Sequence, residues 1–248
     1  YAAPKTAETA AEATTEATTE ATTEATAETE TTAEATTEEP AAPVFKDMEK
    51  HWAKAEVGRA VEAGLFSGVS EDTFSPDTAA TRAQLVTALY RMAGSPETGT
   101  CDFTDVKETD WFAKAVAWAA EQGIVQGSDG KFNPYGALTR EELAVMLQRF
   151  ARSRGYAAAG TELVLDAYKD QDKVSSWAAE AMRWAVSQKL ITGMTTDTLV
   201  PAGTTTRAQL AVILMRYLDA EPNFAPAPDA EIPAPAPAET ETVADDAA

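Results

Sequence analysis

The chain has 248 residues with 40 Asp and Glu against 20 Lys and Arg, a formal net charge of −20. So acidic a balance argues against a nucleic-acid partner, which needs a basic patch, and against a surface that clings to anionic lipid. One Cys (Cys101) excludes a disulfide framework and CxxC motifs, and one His (His51) excludes HExxH and argues against a Ser-His-Asp triad, which it would have to serve alone.

In chain order, residues 1–44 carry one Lys (Lys5) and ten Glu, a net of −9. From Ala13 they read ATTE, ATTE, ATTE, ATAE, which puts Glu12, Glu16, Glu20, Glu24 and Glu28 at i,i+4 spacing. Like charges at that spacing oppose a helix, Thr is a poor helix former, and no apolar face exists, so a disordered tail is expected. The chain opens at Tyr1 on small residues without Met, as expected of a mature exported chain. Residues 45–220 carry a net of only −4 and are long enough to bury a core. Their longest apolar run, around Leu210–Leu218, is broken by Arg216, so no membrane span is expected. Residues 221–248 hold seven acids, no base and a Pro/Ala-rich stretch, expected to be a disordered, semi-extended spacer.

The middle is one unit written three times, over residues 45–98, 102–160 and 166–219. Each copy opens with aromatic-x-Asp: Phe45 to Asp47, Phe103 to Asp105 and Tyr168 to Asp170. A Trp follows after five to seven residues, at Trp52, Trp111 and Trp177, and a turn begins twelve residues later. Those turns read Gly64 to Gly68, Gly123 to Gly127 and Lys189 to Gly193. Next comes apolar-x-Pro (Phe74 to Pro76, Phe132 to Pro134, Leu199 to Pro201), with an Arg six residues beyond each Pro, at Arg82, Arg140 and Arg207.

The physical reading of one unit is helix, turn, extended segment, helix. The first helix is expected to start at the Trp, keep Trp52, Val57, Ala60, Val61 and their counterparts inward, and end at a left-handed Gly64 or Gly123. Lys189 lacks that freedom, so the third end should differ slightly. The second helix shows apolar residues at i, i+3, i+4 and i+7: Leu85, Ala88, Leu89, Met92; Leu143, Met146, Leu147, Phe150; Leu210, Ile213, Leu214, Tyr217. Its start is a capping box, Thr81-x-x-Gln84, Thr139-x-x-Glu142 and Thr206-x-x-Gln209. Units that cannot bury an apolar face alone should pack about a pseudo-threefold axis. The expected fold is an all-α, pseudo-threefold helical bundle of three helix-loop-helix repeats, monomeric, with disordered tails.

This pattern resembles the S-layer homology module, with its opening FxD, HWA-type helix, G(I/L)xxG turn, F-x-P and TRAE-like motif, here TRAQ, TREE and TRAQ at Thr81, Thr139 and Thr206. The resemblance implies a secreted protein at a bacterial cell surface, attached non-covalently to the cell wall. The implied ligand is secondary cell-wall polysaccharide carrying pyruvyl-ketal amino sugars, bound in grooves between the repeats.

At the first helical position, Arg82, Arg140 and Arg207 put a cation where the helix dipole is already positive, so something anionic should compensate. The partner is either internal, one of Asp47, Asp105 and Asp170, or a ligand carboxylate held by the guanidinium and free helix N–H groups. Trp52, Trp111 and Trp177 suit either sugar stacking or plain core. Trp118 and Trp184 read as packing. Gly68, Gly127 and Gly193 fit turns needing positive φ and also let a ligand approach the backbone. Arg91, Arg149 and Arg216 lie near helix C-termini, where a cation is favourable, and read as structural. Asp170-x-Asp172 and Ser128-Asp129-Gly130 lack the remaining ligands of a calcium loop, and His51 and Cys101 recur nowhere. No cofactor, metal or catalytic residue is expected. A wall-glycan enzyme using Glu142 or Asp105, or a self-assembling surface-layer subunit, are the alternatives. The departures in the third copy lead to the expectation that grooves built on Arg82 and Arg140 dominate binding.

Overall fold

The computed structural model describes residues 45–160 and 162–227; most of the two expected tails lies outside them. Each copy supplies two helices: α1 (Lys54–Glu62) and α2 (Arg82–Met92), α3 (Ala113–Glu121) and α4 (Arg140–Ser153), α5 (Ala179–Ser187) and α6 (Arg207–Ala220). Among the described residues the only strand-like pairing is a set of isolated bridges, so the fold is all-α. None of these helices is long and apolar enough to cross a membrane.

The second helix of each copy starts where its capping box is written. Thr81, Thr139 and Thr206 accept the N–H of Gln84, Glu142 and Gln209, whose side chains accept the N-cap N–H in return. The apolar stripe behind these caps is buried: Leu85, Leu89, Leu143, Leu147, Leu210, Leu214 and Tyr217 are fully enclosed. Each stripe packs against a neighbouring copy. Helix α2 lies on α3, α4 on α5, and α6 on α1, which closes the ring.

Just before the caps, Ala80, Leu138 and Thr205 meet at the centre. The Ala80 N–H donates to Thr205 O (2.9 Å), Thr205 N–H to Leu138 O (2.8 Å) and Leu138 N–H to Ala80 O (2.9 Å). Three residues at equivalent places in three copies thus satisfy one another's backbone with water excluded, each with no exposed surface. This ring is the pseudo-threefold axis.

Four local expectations are corrected. The first helices begin two residues after the Trp, and Trp52, Trp111 and Trp177 are 66, 59 and 58% exposed instead of turned inward. The third helix end does not differ: Lys189 adopts φ 59° beside 68° at Gly64 and Gly123, because the N–H of the next residue must reach the same helix carbonyl (Leu190 to Ala185, as Leu65 to Ala60). Of the three later glycines, Gly127 alone has positive φ; at Gly68 and Gly193 the constraint is space. A Cβ at Gly68 would sit 2.5 Å from the Phe45 ring, and at Gly193 2.9 Å from the Tyr168 ring. Finally, residues 221–227, expected within the tail, fold back: Phe224 is 9% exposed and packs edge-on against Tyr156, Trp184 and Tyr217.

Candidate functional site

The aromatic-x-Asp and apolar-x-Pro motifs are two halves of one clamp. Asp47 accepts the N–H of Phe74 and Ser75, Asp105 those of Phe132 and Asn133, and Asp170 those of Leu199 and Val200, all at 2.7–3.1 Å. The second residue of each pair is held left-handed, at φ 59° (Ser75), 58° (Asn133) and 53° (Val200). Burial works against the charge on Asp105 and Asp170, but the paired N–H donors hold both carboxyls below the usual range.

That clamp aims backbone carbonyls at the preceding copy. Helix α2 of the first copy donates its first two N–H groups to Gly136 O and Pro134 O of the second; α4 donates to Gly203 O and Pro201 O of the third; α6 donates to Thr78 O and Pro76 O of the first. The helix N–H groups expected to be free for a ligand are therefore occupied, because the ring uses them to join copies.

The arginine beside them crosses the same junction. Arg207 donates from Nε to Phe74 O (3.0 Å) and from Nη2 to Ser67 O (3.0 Å); Arg140 donates from Nε to Leu199 O (2.7 Å) and from Nη2 to Thr192 O (2.5 Å). Their residues are only 5 and 4% exposed, and neither has a carboxylate within ion-pair distance among the described residues. Burial pushes both guanidinium groups down from their ordinary value. Arg207 also lies over the Phe74 ring, 4.6 Å from its centroid, and Arg82 over Phe132 at 4.9 Å. Leu199 replaces that aromatic beneath Arg140.

Arg82 differs. Its Nε donates to Phe132 O (3.0 Å), but Nη1 goes to the Glu142 carboxylate (2.9 Å) and not to the turn carbonyl that the other two reach.

Each arginine lines a groove of about 200–240 Å³ built from all three copies. One groove takes Arg207 from the third copy, Ser67, Gly68, Gln84, Thr87 and Arg91 from the first, and Trp111 from the second. A second takes Arg82 from the first copy, Gly127, Glu142, Val145 and Arg149 from the second, and Trp177 from the third. The last takes Arg140 from the second copy, Thr192, Gly193, Gln209, Val212 and Arg216 from the third, and Trp52 from the first. The exposed indoles are thus one wall of the grooves. Trp118 and Trp184, by contrast, are buried packing.

The structure brings together the expected Arg, Trp and Gly residues in every groove. It does not bring in Asp47, Asp105 or Asp170, whose oxygens are committed to the loop clamps. It adds Arg91, Arg149 and Arg216, read from sequence as helix-end charges; only Arg91 lies in the last turn of its helix, and all three donate instead to carbonyls of the turn after the first helix, those of Leu65, Ile124 and Leu190, which gives each groove a second guanidinium. Their recurrence at a fixed nine-residue spacing from the first Arg was the signal that marked them. Two guanidinium groups and one indole around a small open cavity suit an anionic, ring-shaped ligand such as an acidic sugar.

A larger cavity of about 700 Å³ lies elsewhere, among Trp118, Phe150, Tyr156 and Phe224. Its one arginine, Arg154, is paired with Glu221 at 2.5 Å. Among the described residues no cluster of His, Cys, Asp and Glu is placed to hold a metal.

In sequence comparisons, the family model described as the S-layer homology domain matches residues 44–86, 102–144 and 167–211. Curated relatives include the amylopullulanase of Thermoanaerobacterium thermosulfurigenes, 26% identical over 72% of this chain and 10% of that protein. The cellulosome-anchoring protein of Acetivibrio thermocellus is 26% identical over 66% of this chain and 38% of its own length. The surface-layer 125 kDa protein of Lysinibacillus sphaericus is 30% identical over 68% of this chain and 14% of its own. The chain thus spans well under half the length of each.

Proposed function

Because the chain belongs to the S-layer homology domain family, we propose that its three-groove body is a non-catalytic cell-surface anchor that holds secondary cell-wall polysaccharide through pyruvyl-ketal amino sugars. The observation that carries this reading is the pair Arg140 and Arg207, almost wholly buried and satisfied only by carbonyl oxygens. A buried cation with no carboxylate in ion-pair contact is costly; Asp170 and Asp47 act on Arg140 and Arg207 only from beyond contact, and a ligand carboxylate entering the groove would supply a charge at contact. The exposed indole in the same groove lining offers its apolar face to the C–H face of a sugar ring.

Three grooves on one rigid ring, meeting a polymer that repeats its acidic sugar, gain avidity that no single groove has. Binding is favoured over catalysis by the groove linings. Glycoside hydrolysis needs two carboxylates facing one bond, whereas Glu142 is the single carboxylate across the three linings and is already engaged by Arg82 and Thr139. The surface-layer and cellulosome-anchoring names of two relatives accord with attachment at the cell surface.

Co-sedimentation with isolated cell walls tests the proposal. The protein should pellet with walls that retain their polysaccharide and stay soluble after the polysaccharide is chemically stripped. Arg140→Ala with Arg207→Ala should abolish pelleting. Undiminished pelleting with stripped walls would sink the reading.

A further inference from the structure

Beside the grooves, the second copy carries a row of aromatic rings that the other two copies lack. Tyr135 follows Pro134 in the clamped loop, and it is 69% exposed. Its ring stands edge-on to Phe112, with centroids 5.5 Å apart and planes at 85°, and Trp111 meets the same Phe112 ring at 5.1 Å and 83°. Phe112 has no exposed surface, so one buried ring supports two exposed ones, no further apart than those two distances laid end to end. At the place of Phe112 the first and third copies have Ala53 and Ala178. At the place of Tyr135 they have Asp77, which faces His51 Nε2 at 3.4 Å, and Ala202. The row adjoins a groove from two sides. Trp111 lines the groove of Arg207, while Pro134 and Gly136, which flank Tyr135, hold the first turn of α2, whose Gln84, Thr87 and Arg91 line that groove too. Tyr135 is outside the lining and stands beside it.

Covering Phe112 does not account for this residue, because a ring that keeps most of its surface in water gains little from burial. A rigid aromatic face, ordered before a ligand arrives, suits the C–H face of a pyranose. We propose that Tyr135 and Trp111 form a two-ring platform for consecutive sugar residues of the wall polymer. The groove of Arg207 then takes an acidic sugar together with its neighbour, through a subsite that the other two grooves lack. This rests on the function proposed above and deepens it. The sugar on Trp111 is the one whose carboxylate meets Arg207 and Arg91; its neighbour on Tyr135 is recognised by its ring face and needs no charge.

The indole N–H signal of Trp111, followed by two-dimensional NMR, reads this groove alone. Two probes are titrated: the methyl glycoside of a pyruvyl-ketal N-acetylhexosamine, and a trisaccharide that ends in the same sugar. Tyr135→Ala should weaken the trisaccharide at this groove by about three- to tenfold and leave the monosaccharide unchanged, whereas Tyr135→Phe should stay within about twofold of the parent on both. Equal losses on both probes would overturn the proposal, since Tyr135 would then act only by steadying Phe112 and Trp111. Trisaccharide binding that Tyr135→Ala leaves unchanged would overturn it too, as would a loss in Tyr135→Phe as large as in Tyr135→Ala. If neither probe moves the indole signals of Trp52, Trp111 or Trp177 while the protein melts normally, the carboxylate-reading function falls and this inference with it.

Discussion

Replacing Asp170 by Ala removes the acceptor for two backbone donors at once. The Leu199 N–H, 2.8 Å from Oδ1, is buried, and a buried donor left unsatisfied costs about 1–3 kcal/mol. The Val200 N–H, 2.8 Å from Oδ2, is partly exposed, so water recovers some of its bond and about 1 kcal/mol is lost there. The expected loss is therefore about 2–4 kcal/mol. For a folded body of this size each kcal/mol lowers the midpoint by roughly 2–4 °C, so calorimetry should show a fall of about 5–15 °C. Asp170→Asn, with one acceptor oxygen remaining, should fall between. The effect should also reach the groove, because the released loop carries Leu199 O, which holds Arg140 Nε. Binding of pyruvylated sugar at that groove should weaken although Asp170 lines none of it. A melting point within 1 °C of the parent would refute the clamp reasoning, since it would mean the loop keeps its shape without the carboxylate.

Valine at φ 53° is strained, and the equivalent residue in the second copy is Asn133, so Val200→Asn should stabilise by about 1 kcal/mol in urea unfolding. Asp105 and Asp170 titrate below their unfolded value in the native state, so their contribution is complete above about pH 4 and is lost as pH falls further. Urea midpoints should accordingly be insensitive to these two groups between pH 5 and 7, drop below pH 4, and drop less steeply in the Asp105→Asn, Asp170→Asn double variant. Trp111→Ala should change unfolding free energy by no more than about 0.5 kcal/mol, since the ring is 59% exposed, while weakening sugar binding in the groove of Arg207.

The helices were legible because their signals are local. Thr81-x-x-Gln84 writes its cap within one turn, and the Leu85, Ala88, Leu89 stripe states which face is buried before any partner is known. Where local rules were applied to positions that the ring controls, they misled. Arg91 looked like a helix-end charge, which it is, but its place in a groove depends on Arg207 and Trp111 arriving from other copies. Arg207 and the Ser67 carbonyl it binds are 140 residues apart, and no spacing rule connects them. Lys189 shows the opposite case, in which chain geometry common to three copies overrides the preference of one residue at a cost of about 1 kcal/mol. Trp52, Trp111 and Trp177 could be read either way because a large aromatic beside a helix start has the same sequence signature whether it faces the core or a neighbour's groove.

The way each groove draws one wall from every copy has a consequence for how such a chain can change over generations. A single copy owns no complete groove, and a pair would leave the central hydrogen-bond ring open with unsatisfied backbone at its rim. Loss of any copy would therefore remove all three sites together, and an added fourth has no place in the circle. The number three is locked by geometry, whereas the lining residues of each groove, such as Gln84, Glu142 and Gln209, are free to diverge one at a time. A lone copy could regain a groove only by assembling with two others, as separate chains around the same axis.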